Sequence, residues 1–190
     1  MQIKFSSLML AFSLAVTSLF AQADQYSEAK QVFEQAGESG GFFANSYGYA
    51  LFPNIGKGGI GIGGAYGDGR VYVGGKHVGD TSMTQLSIGL QLGGQVYSQI
   101  IFFQDQRAFD DFSSGNFEFS AQAAAVAITA AASAQSSTGG GSSAGASGGQ
   151  NDASTVTAGY NKGMAVFTVA KGGLMYEASV AGQKFSYKAL

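Results

Sequence analysis

The chain has 190 residues, of which 30 are glycine, and it contains no cysteine and a single histidine. Ten Lys and Arg stand against twelve Asp and Glu, which gives a formal net charge of −2. This composition excludes a disulfide framework and a Cys/His metal site, and it argues against nucleic acid as a partner. The length suits a single domain with one hydrophobic core.

Residues 1–23 have the pattern of a secretory signal peptide. Lys4 provides the positive start, Phe5–Phe20 is an apolar run, and Ala21-Gln22-Ala23 is a small-x-small cleavage site. A retained membrane anchor is the alternative, but the run is shorter than the roughly twenty apolar residues that a spanning helix needs. We therefore expect cleavage after Ala23, a single mature domain at 24–190, and a periplasmic or secreted location.

The first segment of the mature chain, residues 24–37, has the spacing of an amphipathic helix. Its apolar residues recur at intervals of three and four and form one stripe: Tyr26, Ala29, Val32, Phe33 and Ala36. Glu28 and Glu34 flank Lys30 on the polar side, whereas a helix that lies on a membrane is normally basic there. The pattern favours packing of this helix on the core over a helix that lies in the membrane surface.

After Gly41 the apolar period becomes two, which indicates strands. In residues 84–92 the apolar set Leu86, Ile88, Leu90 and Leu92 alternates with Gln85, Ser87, Gly89 and Gln91. Such alternation is typical of a half-buried antiparallel strand. Val96–Phe103 is apolar on both faces and is predicted to be a central, well-covered strand.

The rest of the chain adds one short helix and further strands. Residues 104–112 are predicted to form a short helical connection, and 117–123 alternate as a strand before an alanine-rich run that fits either helix or strand. Near the C-terminus, Phe185 and Tyr187 are expected to face the core. The Gly- and Ser-rich residues 134–154 are expected to be a mobile insertion. The predicted fold class is therefore α+β, mainly β, with antiparallel Gly-rich sheets in a barrel- or sandwich-like domain and an N-terminal helix.

A weak internal repeat relates two glycine-rich segments. Gly48–Gly59 resembles Gly163–Gly173, and each segment continues into a strand and a predicted tight turn, at 67–69 and 181–183 respectively. Two related hairpin units that pack as pseudo-equivalent halves are the simplest interpretation.

The glycines of the first repeat alternate with isoleucines. Gly59, Gly61 and Gly63 would leave one strand face bare while Ile60 and Ile62 make the other face apolar. Glycine inside a strand costs roughly 0.5 to 1 kcal/mol relative to alanine, so the run needs a structural or functional reason. A curved sheet whose strands pack without side chains between them is one reason, and a groove that an acyl chain or a headgroup approaches is the other.

Lys57 and Lys171 occupy equivalent positions in the two repeats. They are either solvated turn lysines or the residues that meet a phosphate at the start of each strand. The candidate lipid-binding residues are therefore Lys57, Gly59, Gly61, Gly63 and Lys171.

Motifs of enzymatic chemistry fail on their context. The run Gly59–Gly64 matches GxGxxG, but the chain continues as turn and strand, whereas the dinucleotide fingerprint requires a helix at that point. His77 lies in a polar turn without a serine motif, and the neighbours Asp110 and Asp111 point apart on a helix. We predict no enzyme activity, no cofactor and no metal site.

Four motifs in a fixed order lie between residues 48 and 187, and the resemblance that they carry extends over nearly all of residues 25–190. They read "GYALFPNIGKGGIGIGGAYGDGRVYV", "TSMTQLSIGLQLGGQVYSQIIFFQDQRAFDDF", "FEFSAQAAAVA" and "TAGYNKGMAVFTVAKGGLMYEASVAGQKFSY". This series resembles the SYLF domain, a lipid-binding module. The resemblance implies a non-enzymatic domain that binds membrane lipid. Eukaryotic members recognise phosphoinositides with a basic N-terminal helix, and some bind actin.

The helix of this chain lacks the basic residues of those members, so the resemblance carries over only the lipid-binding class. The leading hypothesis is phospholipid binding at the membrane surface of the cell envelope. The alternative is a structural or assembly protein whose Gly-rich, weakly charged strands pair with copies of themselves or with an envelope protein.

Overall fold

A computed structural model describes six stretches of the chain: 25–60, 62–88, 94–120, 125–128, 159–171 and 180–190. The predicted signal peptide and the predicted insertion at 134–154 lie outside these stretches, and both stay predictions.

Four helices lie in the described residues. They are α1 at residues 25–35, α2 at Gly37–Gly40, α3 at Phe42–Asn45 and α4 at Gln106–Ser113. The predictions of an N-terminal helix and of a short helix after residue 104 are confirmed. Helical turns continue beyond the glycines that were expected to end them, because the Gly40 amide donates to Ala36 O at 2.8 Å and the Ser39 hydroxyl donates to Phe33 O at 2.6 Å.

Within the described stretches, eight strands form one curled sheet. In chain order they are β1 Gly48–Ile60, β2 Ile62–Val73, β3 Lys76–Ile88, β4 Gly94–Phe103, β5 Phe117–Glu118, β6 Val126–Ile128, β7 Met164–Lys171 and β8 Lys184–Ala189. Their order across the sheet is β5-β8-β3-β2-β1-β4-β7-β6. All neighbours are antiparallel except β6 and β7. The predicted class, α+β and mainly β with an N-terminal helix, is confirmed.

Strand β4 lies inside the sheet, between β1 and β7. Its residues from Tyr97 to Phe103 are all buried. Both faces of this strand are covered because α1 packs on one side of the sheet and α4 on the other. The prediction of a central strand at Val96–Phe103 is therefore confirmed, although Val96 itself is 43% exposed.

The two faces of the sheet carry separate cores. The α4 face includes Phe52, Met83, Phe103, Phe112 and Phe185, and Tyr187 packs against this cluster from a partly buried position. The α1 face has a second core formed with the N-terminal helices, with Tyr26, Phe33, Tyr49, Phe102 and Phe167 among its members. The central part of the sheet is apolar on both faces, so both faces must be covered by other elements. The helices on either side of the sheet provide this cover.

The predicted pair of equivalent hairpins is wrong. Residues 67–69 lie inside β2, which runs without a break from Ile62 to Val73, and the first hairpin turns at the pair Ile60–Ile62. The second predicted turn does occur, with Gly182 at φ +72°. It leads into β8, which pairs with β3 and β5 and not with β7.

The glycines of residues 67–69 make room for the core of the protein itself. A Cβ on Gly67 would lie 2.6 Å from Ile55 Cγ1, and a Cβ on Gly69 would lie 2.6 Å from Phe52 Cδ1. Carbon atoms pack at about 3.5 to 4.0 Å, so neither position has space for a side chain. Here the glycines serve close packing within a curved sheet, the first of the two explanations for the glycine-rich strands.

Candidate functional site

One row of directly paired residues crosses the sheet beyond the area that the N-terminal helices cover. From β7 to β5 the partners are Lys171, Val96, Gly56, Tyr66, Thr84, Lys184 and Glu118. The next row outward contains Gly94, Gly58, Gly64 and Leu86. Because directly opposite residues share a face, both rows lie on one face, which is the α1 face.

Three large apolar side chains of these rows are exposed. Leu86 is 85% exposed, Tyr66 55% and Val96 43%. Between them the sheet carries only glycine, at Gly56, Gly58, Gly64 and Gly94. We call these three side chains and the glycine floor between them the apolar patch. Clustered exposed apolar groups, unlike single ones, mark interaction surfaces.

In β3 a polar residue is buried and the neighbouring apolar residue is exposed, which is the reverse of the usual arrangement in a half-buried strand. Gln85 is buried on the α4 face, where its Nε2 donates to Ala181 O at 2.9 Å, while Leu86 is exposed. The buried face of this strand is thus the polar one at this position. Further polar groups lie inside the same face, since Gln99 and Gln183 exchange hydrogen bonds of 2.8 and 3.1 Å. The patch is therefore apolar surface that the fold leaves outside its own core.

A lysine lies at each side of the patch. Lys171 donates to Asn54 Oδ1 at 2.8 Å, and Lys184 lies 3.5 Å from Glu118 Oε2. The side chains of Lys184 and Glu118 are exposed, and an ion pair of this kind is weak. Both ammonium groups are therefore available to an anion above the patch.

Tyr66 stays uncharged near neutral pH. Its hydroxyl donates to Asp68 Oδ1 at 2.6 Å, and this hydrogen bond to a carboxylate raises the pKa of Tyr66 above its ordinary value of 10.0. An uncharged phenol with an exposed ring has the apolar body and polar tip that favour the boundary between water and an apolar phase.

The predicted site residues do not form one group. Lys57 pairs with Gln95 and Ala65, whereas the preceding residue, Gly56, pairs with Val96, the partner of Lys171. Neighbouring residues of a strand point to opposite faces, so Lys57 and Lys171 lie on opposite faces of the sheet. The sequence repeat does not reveal this difference, because it contains no information on strand order.

Gly59 and Gly63 pair with each other and share the face of Lys57. Gly61 lies outside the described residues. Of the five predicted residues, Lys171 borders the apolar patch. The sequence analysis did not identify Leu86, Tyr66 and Val96 as site residues. The one signal for them was that Leu86 lies in a strand whose other face carries glutamine, so that either face could have been the exposed one.

A cleft of ≈ 550 Å³ lies at this end of the sheet. Its lining includes Gly56, Gly64, Tyr66, Gln85, Leu86 and Lys184. A Cβ on Gly56 would meet no atom within 4 Å, and one on Gly64 would meet only Gln85 O, at 3.5 Å. These two glycines, unlike Gly67 and Gly69, border open space. They leave the open space that the second explanation of the glycine-rich strands requires.

In the part of the chain that the structure describes, every helix is too short or too polar to cross a membrane. In the same part, no group of three His, Cys, Asp or Glu side chains could hold a metal ion.

The sheet, its N-terminal helix and the bare rows of glycine define a glycine-rich, mainly β domain that leaves part of one sheet face uncovered. The profile of the Ysc84 family, described as "Las17-binding protein actin regulator", matches residues 84–188, more than half of the chain. The chain therefore belongs to the Ysc84 family, whose domain is also called SYLF, and the resemblance found from the sequence is confirmed. This family comprises lipid-binding and adaptor domains.

The chain is also similar to beta cell expansion factor A of Aeromonas veronii. The two are 27% identical over 175 residues, which is 91% of this chain and 54% of the relative. The chain thus spans about half the length of the curated relative that it matches.

Proposed function

We propose that this protein binds phospholipid at a membrane surface of the cell envelope, through the apolar patch on the α1 face. The family favours a lipid-binding or an actin-regulatory role. The predicted export of the chain favours lipid, because a periplasmic or secreted protein meets membranes and no cytoplasmic filaments.

The exposure of Leu86 carries this proposal. Complete burial of a leucine side chain is worth about 1.5 to 3 kcal/mol, and 85% of Leu86 is available for such burial. Tyr66 and Val96 add area beside it, and the glycine floor lets a flat surface approach the strands closely. Insertion of these side chains at the boundary of headgroups and acyl chains would remove this area from water.

The lysines at the two sides of the patch favour phospholipid over a neutral apolar partner. Lys171 and Lys184 lie in the same row as Tyr66 and Val96, on either side of them. When the patch enters the headgroup layer, both ammonium groups come level with the phosphates. Each basic residue near an anionic surface contributes about 1 kcal/mol, and salt screens this contribution.

Vesicle co-sedimentation tests the proposal with the protein as purified from its producing cells. Vesicles of phosphatidylcholine and vesicles that also contain phosphatidylglycerol serve as probes. We expect Leu86→Asp to weaken adsorption at least about tenfold, because 1.4 kcal/mol is a factor of ten. Leu190→Asp is the matched control, since Leu190 is 76% exposed and lies outside the patch, where its backbone amide donates a hydrogen bond to Val78 O.

Adsorption to neither vesicle type would refute the proposal. Equal losses in the two aspartate variants would refute the role of the patch.

The alternative, an assembly protein that acts through its Gly-rich strands, makes a different prediction. The strands β3 and β4 each have a neighbour on both sides, although β8 pairs with β3 only over residues 79–84. The outermost strands of the described sheet, β5 and β6, have two and three residues. Short outer strands offer little backbone for pairing with another chain. Sedimentation velocity over a range of concentrations tests this alternative. It would be favoured if the natural chain formed oligomers, if Leu86→Asp dissociated them, and if that variant still adsorbed to vesicles as the natural chain does.

A further inference from the structure

A second cleft, of ≈ 510 Å³, lies on the opposite face of the sheet from the apolar patch. It is bordered by α4, β5 and the turn that leads into β7. Its lining consists of an apolar floor, namely Phe117, Phe119, Met164 and Val166, and a polar rim, namely Arg107, Asp111, Glu118, Ser120, Asn161 and Lys162.

The floor of this cleft is continuous with the core of the α4 face. Phe119, Met164 and Val166 are only 8%, 5% and 6% exposed, and all three belong to the same apolar cluster. The Phe117 ring stands edge-on to Phe119, with the ring centroids 5.0 Å apart. Concave sites with apolar walls and a few polar groups at the mouth are typical of small-ligand sites, and this floor suits an alkyl chain.

A strained residue supplies charge at the rim. Lys162 has φ +51°, and it is the one non-glycine residue with a positive φ in the described stretches. The turn is held by two hydrogen bonds, from Asn161 N to Met164 O at 2.9 Å and from Met164 N to Asn161 O at 3.0 Å. Lysine rarely adopts this conformation, and strain of this kind concentrates at functional sites.

Arg107 lies against the same turn. A Cβ on Gly163 would come within 2.9 Å of Arg107 Nη2, so the guanidinium packs directly on the residue that follows Lys162. The Gln104 amide also donates to Gly163 O at 2.8 Å, which ties the start of α4 to this turn. Both cations therefore belong to one side of the cleft.

The rim of the cleft carries charges of both signs. Arg107 pairs with Asp111 at 3.4 Å and with Asp105 at 3.8 Å, and the exposed Glu118 forms a weak ion pair with Lys184 at 3.5 Å. Lys162 forms no ion pair with any residue that the structure describes. A ligand with an anionic head would find a free ammonium group at the mouth and the Arg107 guanidinium close by.

We propose that this cleft binds a single-chain amphiphile with an anionic head. Its alkyl chain lies along Phe119, Met164 and Val166, and its head oxygen atoms meet Lys162 and Arg107. A fatty acid carboxylate and a lysophospholipid phosphate share this chemistry. The apolar floor of this site lies on the opposite face of the sheet from the apolar patch, with Glu118 at the border of both clefts, and the site does not depend on the patch.

Titration with monomeric ligands tests the proposal. The fluorescent fatty acid cis-parinarate, kept below its critical micelle concentration, reports binding to the purified protein, and unlabelled ligands displace it. Each added methylene is expected to raise affinity roughly fourfold, so dodecanoate should bind about fifteen times more tightly than decanoate. Dodecanol tests the need for the anionic head, lysophosphatidylglycerol tests phosphate against carboxylate, and inorganic phosphate tests the head alone.

Two variants locate the site. Lys162→Asn removes the charge with a residue that tolerates the left-handed backbone, so we expect about tenfold weaker binding of dodecanoate and unchanged binding of dodecanol. Ser120→Trp fills the mouth from an exposed position, so we expect loss of both ligands. Lys76→Gln, at the exposed first residue of β3 and outside the cleft, is the control for net charge.

Affinity that does not depend on chain length, or unchanged dodecanoate binding in Lys162→Asn and Ser120→Trp, would overturn the proposal. Leu86→Asp separates this site from the membrane surface. We expect it to lose vesicle adsorption and to retain dodecanoate, so either site can fail without the other.

Discussion

Gly67 and Gly56 lie in neighbouring strands, and alanine at these two positions should have opposite effects on stability. A Cβ on Gly67 would lie 2.6 Å from Ile55 Cγ1 and 2.8 Å from Asn54 O. Ile55 is completely buried and the carbonyl belongs to a paired strand, so neither atom can move away easily. Overpacking of this kind costs about 1 to 3 kcal/mol.

Alanine also lowers the entropy of the unfolded chain relative to glycine, which stabilises the folded state by about 0.4 to 1 kcal/mol. At Gly67 this gain offsets only part of the clash, so Gly67→Ala should be destabilised by about 1 to 2 kcal/mol. At Gly56 a Cβ meets nothing within 4 Å, so Gly56→Ala should be as stable as the natural chain or slightly more stable.

Urea unfolding followed by circular dichroism measures both variants. With a slope of about 1 to 3 kcal/mol/M, the two unfolding midpoints should differ by roughly 1 M, with similar slopes. If Gly67→Ala unfolded at the same urea concentration as Gly56→Ala, the assignment of these glycines to packing and to open surface would be wrong.

Three further predictions concern the cores and can be checked by the same unfolding measurement. Phe33 of α1 is completely buried in the core of the α1 face, so Phe33→Ala should cost about 3 to 5 kcal/mol, and a loss below 1 kcal/mol would mean that the helix is not docked. Gln183→Ala leaves the buried Gln99 amide without its partner and should cost about 1 to 3 kcal/mol, whereas a double change of both residues to leucine should cost less. Burial raises the pKa of Tyr97 to about 12, against a weaker lowering by the Gln183 hydrogen bond, so the neutral phenol is favoured in the folded state. Tyr97 by itself should thus lower the unfolding free energy by about 2 kcal/mol as pH rises from 10 to 12, and Tyr26 and Tyr49, whose pKa values burial also raises, act in the same direction. Tyr97→Phe should therefore lose about 2 kcal/mol less than the natural chain over that range.

The sequence alone determined the class of the protein and several of its elements. A 3.6-residue period placed α1, and the run of residues apolar on both faces placed β4, because these patterns reflect burial of one stripe or of two faces. The ordered series of motifs led to the family, which the comparison confirms over residues 84–188.

Only the tertiary structure decided which face of each strand the core takes. Alternation in β3 shows two faces but does not say which is buried, and the fold buries Gln85 and exposes Leu86 because the interior of the curled sheet supplies a partner for the amide at Ala181 O. Strand order likewise sends Lys57 and Lys171 to opposite faces despite their similar sequence context. Local periodicity records the geometry of one strand, whereas a site requires the register between strands that lie far apart in the chain.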